Sequence, residues 1–533
     1  MKNKFLNKIL AVALLAGTMV SCTKNLDRLP TNDVTSETVY STAAGYKQAA
    51  AKVYGSFALT GNQGPAGQGD VQGIDEGTSD YLRLFWVAQE LSTDEAVVGW
   101  GDVGLQDFHN MNWGADNPFL KGLYYRSFYQ ITLANDFIRQ SSDDKLSDRG
   151  ISGTDADEIR RFRTEARFLR AYQYWSLMDV FGNVPVVTEN DLIGTSLPEQ
   201  MQRSALFNYI ESELKAIETE LAAPRANEYG RADQAAAWAL LARMYLNAEV
   251  YTGTARFADA ITYSKKVIDA GYTLTSDYRY LFLADNQLNA NEFILTINYD
   301  GLRTQNYGGT TFIVHGAVVD NMDATKDFGI PSGGWFGMRT TKNLPNLFPD
   351  YSGTADKRAE FQQNALEIND VTVTSQGFGI TKFRNITRTG AIAPNIGPDG
   401  IYVDVDFPLF RLPEMYLIYA EAVLRGGTGG DMATALQYIN NIRTRAYGNT
   451  SGNITQSALN LDFIIDERGR ELYWECFRRT DLIRFNRFTE NTYLWPWKGG
   501  VANGRAVESY RTIYPIPVAD VSANPNLTQN QGY

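Results

Sequence analysis

Apolar residues recur at helical spacing over long stretches near both ends of the chain: roughly 42–60, 117–140, 156–181, 204–222, 232–248, 257–270, 408–425, 431–446 and 461–487. Each stretch places an apolar stripe along one side of a 3.6-residue turn, which predicts helices that bury those stripes against one another. Two of the stretches share a motif. Trp238 to Leu246 is followed by Ala258, Ala260, Ile261, Tyr263 and Val267, and Tyr416 to Leu424 by Ala433, Ala435, Leu436, Tyr438 and Ile442. Small alanines let two helices approach closely while tyrosine and aliphatic side chains fill the seam. An antiparallel bundle uses alanine in the same way, but the recurrence favours stacked helical hairpins. The fold class expected is mainly α, a tetratricopeptide-like helical repeat scaffold.

Between about residues 273 and 406 the helical period disappears. Gly, Asn and Thr there surround short runs that read as extended: Phe293 to Ile297, Thr310 to Val314 and Val371 to Thr374. A second irregular region, about 60–114, is rich in Gly and Asp and carries scattered aromatics. Long loops on a rigid scaffold are where binding surfaces tend to sit, so these two regions are searched for function.

The N-terminus sets the compartment. Lys2, Lys4 and Lys8 precede an apolar run from Ile9 to Ala16, too short to span a bilayer, and small residues lead to Met19-Val20-Ser21-Cys22. This reads as an export signal over residues 1–21 with lipoprotein-type cleavage, leaving Cys22 to carry the lipid that fastens the chain to a membrane. The alternative is an ordinary secretory signal with an incidental cysteine. The only other cysteine is Cys476, so a lipidated Cys22 leaves no intrachain disulfide.

A net charge of -12 argues against nucleic acid as a partner, since phosphate binding needs clustered Lys and Arg. A neutral ligand is easier to accommodate. Catalysis finds no support: 61 Asp and Glu offer many carboxylates, but no local motif singles out an acid/base pair. Asp466, Glu467, Glu471 and Glu475 fall at helical spacing, interleaved with Arg468, Arg470, Arg478 and Arg479, which predicts an ion-pair lattice along a helix. The two histidines, His109 and His315, lack a second ligand at metal spacing, and no nucleotide or nucleophile motif occurs. No catalytic residue, metal or cofactor is expected.

Several blocks spread over the chain resemble the SusD/RagB family: Glu165-Ala166-Arg167-Phe168-Leu169-Arg170-Ala171 leading to Phe181-Gly182-Asn183-Val184-Pro185; Glu467-Arg468-Gly469-Arg470-Glu471-Leu472 with Arg478-Arg479-Thr480-Asp481-Leu482; and Tyr514-Pro515-Ile516-Pro517 with Asn524 and the closing Asn530-Gln531-Gly532-Tyr533. The resemblance implies one α-helical domain over 22–533, with four tetratricopeptide-like units and a looped ligand face, lipid-anchored in the outer membrane and facing the exterior. Four further segments, Gly73 to Gly77, Gly230 to Asp233, Asn306 to Gly309 and Tyr493 to Gly500, are similar to the family's starch-binding member. That similarity implies starch, amylose or maltooligosaccharide as ligand and a SusC-type TonB-dependent transporter as partner. A binder of another polysaccharide, or a transporter lid without selective binding, are the alternatives.

A neutral glucan offers hydroxyls at ring edges and apolar C–H faces, so its site needs exposed aromatic planes with hydrogen-bonding groups at their rims. Trp100 (between Gly99 and Gly101), Tyr307 (before Gly308 and Gly309) and Trp335 (after Gly333 and Gly334) sit among glycines in the irregular regions. Such rings can equally plug a loop into the core. The resemblance implies that these three form an arc along the glucan helix, with Arg83 and Asp75 as polar neighbours; a local surface ion pair is the alternative for those two. Where the starch binder has an Asn beyond its Trp, this chain has one residue fewer and offers Asp102 or Val103, so Asp102 is placed at the site. Trp495 and Trp497, between the final helices and the Pro-rich end, are expected in the core.

Overall fold

The computed structural model describes residues 36–65, 69–191, 194 and 196–533; the expected export signal and Cys22 lie outside them. The principal helices are α1 (Ala43–Gly55), α2 (Tyr81–Glu90), α3 (Pro118–Gln140), α4 (Gly153–Phe181), α5 (Arg203–Ile217), α6 (Gln234–Leu246), α7 (Phe257–Asp269), α8 (Gly309–Ala317), α9 (Leu412–Leu424), α10 (Met432–Tyr447), α11 (Leu461–Leu472) and α12 (Arg478–Arg484). Side-chain caps start many of them: Thr42 before α1, Asn117 before α3, Asp233 before α6 and Asp431 before α10 each accept a first-turn N–H.

The two copies of the alanine-tyrosine motif are the hairpins α6/α7 and α9/α10, and α7 packs on α9, so the copies stack although 142 residues separate α7 from α9. In the first hairpin, the Trp238 indole and the Tyr263 hydroxyl both donate to Glu218. In the second, Tyr416 and Tyr438 stack at 4.6 Å. Helices α1, α3, α4 and α5 pack together on the N-terminal side.

The intervening segment leaves and rejoins the scaffold through an antiparallel ladder between Phe293–Ile297 and Phe407–Arg411, so the first of the three extended runs is a strand. The other two are not. Thr310 to Val314 lies within α8, all nine of whose residues are buried; a Thr-Thr-Phe-Ile-Val run has strand propensity, and full burial leaves no polar face to reveal a helix. Val371 to Thr374 forms turns. For the same reason α2, buried at all ten positions, shows no helical period inside the 60–114 region.

The 461–487 pattern is two helices. Between α11 and α12, Trp474 and Cys476 adopt left-handed φ of 63° and 68°, conformations that cost a non-glycine residue roughly 1–3 kcal/mol each. Buried carboxylates hold the break: Glu95 accepts the Trp474 N–H and Glu90 the Cys476 N–H at 2.6 Å. Burial pushes both carboxyls above the usual range, and their proximity to each other adds to it for Glu90.

The expected helix-borne lattice is corrected in its partners. Of the pairs within the segment, Arg470 reaches Glu467 one turn away, but Arg468 bonds Asp481, Arg478 bonds Asp94, and Arg479 lies 3.6 Å from Asp179. Glu467 is held by Arg358 and Arg443, Glu471 by Arg358, Arg411 and Arg445, and Glu475 by Arg411 and Lys382. These ions are buried, so periodicity along one helix could not disclose cations supplied by remote segments. Trp495 is buried as expected, and Trp497 packs against Val97, Ile368 and Val371 with its indole donating to the Ile368 carbonyl.

Candidate functional site

Trp100 follows a two-residue strand, Val97–Val98, that pairs antiparallel with Met338–Arg339; the ladder continues as Gly99 N–H bonds to the Gly337 carbonyl. This pairing carries the 97–100 and 335–339 segments side by side. The Trp100 indole then donates to the Trp335 carbonyl at 3.1 Å, and Gln106 donates to the Trp100 carbonyl. Glycines make the seat beneath the ring: a Cβ on Gly337 would lie 2.2 Å from Trp100 Cε2, and one on Gly316 would lie 3.2 Å from its Cη2.

Trp335 is seated by α8. Its backbone N–H donates to the His315 carbonyl at 2.9 Å, and its ring stacks on the His315 imidazole at 4.6 Å and 23°. Tyr307 precedes α8 and is fixed from below by Asp80. The Asp80 carboxylate caps α2 through the Arg83 N–H and also accepts the Gly309 N–H at 2.7 Å; a side chain at Gly308 would collide with it. Burial raises the Asp80 carboxyl above its ordinary range.

Thus Trp100, Tyr307 and Trp335, from three distant parts of the sequence, form one row of half-buried rings. Trp335 is the middle member, 6.5 Å from Trp100 and 6.3 Å from Tyr307 between ring centroids, with interplanar angles of 55° and 48°. Successive planes are inclined to one another by about half a right angle.

Arg83 lies beneath this row, only 8% exposed, with one guanidinium nitrogen donating to the Gly77 and Tyr307 carbonyls and its plane over Phe312. No ion pair joins it to Asp75 or Asp102 among the described residues, and its Nε lacks a partner. Burial pulls its pKa down to about 10, opposed by Asp102, Asp80 and Asp75. The surface ion-pair alternative therefore does not describe Arg83. Asp75 and Asp102 are both exposed and line one recess of about 150 Å³ with Val103 and Phe119.

Three neighbours were not picked out from the sequence. Tyr402 stands 5.7 Å from Tyr307, in a segment without a flanking-glycine signal as dense as those of the other rings. Phe336 adopts φ 53° and leaves 45% of its surface exposed. His315, which the sequence offers no partner for at metal spacing, is the floor under Trp335; among the described residues no cluster of three or more metal-ligating side chains occurs. A larger concavity of about 310 Å³ lies between α1, the Tyr229–Arg231 loop and strand Phe293–Ile297, away from the ring row.

Comparison with known proteins gives a consistent picture. Residues 356–533 match the model of the SusD family, and residues 71–246 match a model described as starch-binding associating with outer membrane. The chain is 35% identical over 590 aligned residues, covering all of both chains, to the starch-binding protein SusD of Bacteroides thetaiotaomicron. It is 24% identical to SusD-like protein P25 of Formosa agariphila over 99% of each chain. Among solved structures, surface glycan-binding protein A of Bacteroides thetaiotaomicron in complex with laminarihexaose matches with a TM-score of 0.67 at 20% identity, covering 91% of this chain and 99% of that one. The corresponding protein of Bacteroides fluxus matches with a TM-score of 0.68 at 22% identity, covering 92% and 100%.

Proposed function

Because this chain belongs to the SusD/RagB family, whose members bind glycans without catalysing their cleavage, we propose that it captures starch as amylose or maltooligosaccharide at the cell surface. The observation that carries this reading is the row of mutually inclined, half-buried rings Trp100–Trp335–Tyr307. An α-1,4-glucan is itself curved, and its sugar rings present C–H faces at changing angles, so aromatic planes inclined to one another suit it better than a flat platform would. Full-length similarity to a starch-binding protein supports the same choice.

In this reading the rings supply stacking, Asp75 and Asp102 meet the hydroxyls at the rim, and Arg83 supports the row by holding the Gly77 and Tyr307 carbonyls. The two carboxylates accept from the hydroxyls of a vicinal diol. Asp102 accepts only, unlike an amide, which adjusts the preferred length of glucan. No bond is made or broken. Affinity is modest, because an open platform excludes water from one side of the sugar and must order a flexible chain. The protein is held at the outer membrane by lipid on Cys22, facing the exterior, and passes the glucan to a SusC-type TonB-dependent transporter.

Laminarihexaose bound to a structural relative favours one competing ligand class, a β-1,3-glucan. Calorimetric titration of the chain lacking residues 1–22 with maltoheptaose, α-cyclodextrin, laminarihexaose and cellohexaose separates the two. Binding confined to the first two supports the α-glucan reading. Binding of laminarihexaose alone, or of none, overturns it.

A further inference from the structure

We propose that His315 is the positioning residue of the ring row, tying the Trp335 loop to the Tyr402 loop when its imidazole is doubly protonated and loosening that tie when it is not. The inference rests on the row being the glycan site. His315 is fully buried in α8, with Nδ1 2.8 Å from the Gly333 carbonyl oxygen and Nε2 2.7 Å from the Ile401 carbonyl oxygen. A carbonyl oxygen only accepts, so both contacts are hydrogen bonds only if both nitrogens donate. The imidazolium does so. The neutral ring donates once and turns a lone pair towards the other carbonyl.

The two carbonyls belong to the segments that present the rings. Gly333 is two residues before Trp335, and Ile401 immediately precedes Tyr402, which packs against Tyr307. The Trp335 indole covers the imidazole face, so a cation at His315 is also held by the ring that would stack on sugar. Losing the proton therefore removes one hydrogen bond and one cation–π contact from directly beneath the middle ring.

The groups acting on the imidazole are burial and these two carbonyls; no carboxylate, ammonium or guanidinium of a neighbouring element is among them. Arg83 is engaged with Phe312, and burial keeps the Tyr402 hydroxyl well above its ordinary range and so uncharged. Burial outweighs the carbonyls and lowers the His315 pKa below its ordinary 6.5, so the second proton is gained on the acid side of that value.

The chain has only two histidines, and burial draws the other, His109, down to about 4. Histidine-selective 15N NMR of the chain lacking residues 1–22, from pH 4.5 to 8, shows two imidazoles, and the one missing from the spectrum of His315→Gln is His315. The Trp335 indole resonance, assigned with Trp335→Phe, and maltoheptaose affinity are followed over the same range, with His315→Gln as a variant that cannot titrate. The expected result is a second His315 proton gained on acidification, a Trp335 shift on the same curve, and affinity about fivefold tighter at the acid end, the size of one hydrogen bond; His315→Gln gives a flat profile. A His315 that keeps one proton throughout, or a Trp335 resonance unmoved by its titration, overturns the proposal. If no glycan binds at any pH, that failure falls on the starch reading, and the Trp335 resonance alone decides this one.

Discussion

The indole of Trp100 donates a 3.1 Å hydrogen bond to the backbone carbonyl of Trp335, 235 residues later in the chain. The bond makes one surface out of two loops, since it fixes the Trp100 ring in the plane set by the backbone that presents the second ring. Perturbing either partner, or the glycine seat below, therefore acts on the whole row.

Trp335→Ala removes the middle plane. Its expected cost is about 1–3 kcal/mol of maltoheptaose affinity, the scale of an aromatic contact at a binding surface. Calorimetry measures the loss, and an unchanged far-ultraviolet circular dichroism spectrum and melting temperature show that the fold is intact. Full affinity in a folded variant would remove Trp335 from the site.

Gly337→Ala tests the seat without touching the ligand. The added Cβ would fall 2.2 Å from Trp100 Cε2 and 2.3 Å from its Nε1, so the indole must swing away and give up the Trp335 carbonyl. Affinity is expected to fall about tenfold, with a melting temperature lowered by the displaced, half-buried ring but a far-ultraviolet circular dichroism spectrum unchanged. A crystal structure of the variant should show a displaced Trp100.

The buried ion lattice responds differently from a surface pair. Glu471 alone neutralises parts of Arg358, Arg411 and Arg445, so Glu471→Gln strands positive charge in the core and is expected to cost about 3–5 kcal/mol. Urea denaturation gives the value. A cost below about 1 kcal/mol would mean that water reaches the lattice.

Asp406 supplies a pH dependence. Its carboxylate accepts the Tyr299 N–H at 2.8 Å and the Tyr229 hydroxyl at 2.9 Å, and burial raises its pKa from 3.8 to about 7. The folded chain thus binds more protons than the unfolded chain between about pH 4 and 7, so this group's contribution is complete below pH 4 and is lost as pH rises to 7. The loss is at most about 4 kcal/mol, and water penetration makes it smaller. Asp406→Asn, which cannot ionise, is expected to flatten that part of the stability–pH curve measured by denaturant unfolding from pH 4 to 8. A curve of unchanged slope in the variant would assign the dependence to other carboxyls.

The sequence by itself determined the amphipathic helices, the repeated hairpin and the glycine-flanked rings, because each is written in local spacing: one apolar stripe per helix, one alanine pair per seam, glycines beside each ring. It did not disclose α2 or α8, whose residues are buried on every side and leave no polar face to reveal the period. Nor did it disclose the break at Trp474 and Cys476, since left-handed backbone there depends on Glu90 and Glu95, nearly 400 residues away. Tertiary structure alone decided how Trp100, Tyr307 and Trp335 stand to one another. The angles between their planes are set by long-range contacts, Val97–Val98 on Met338–Arg339, Asp80 on Gly309 and His315 under Trp335, and no local pattern encodes a contact between residues so far apart.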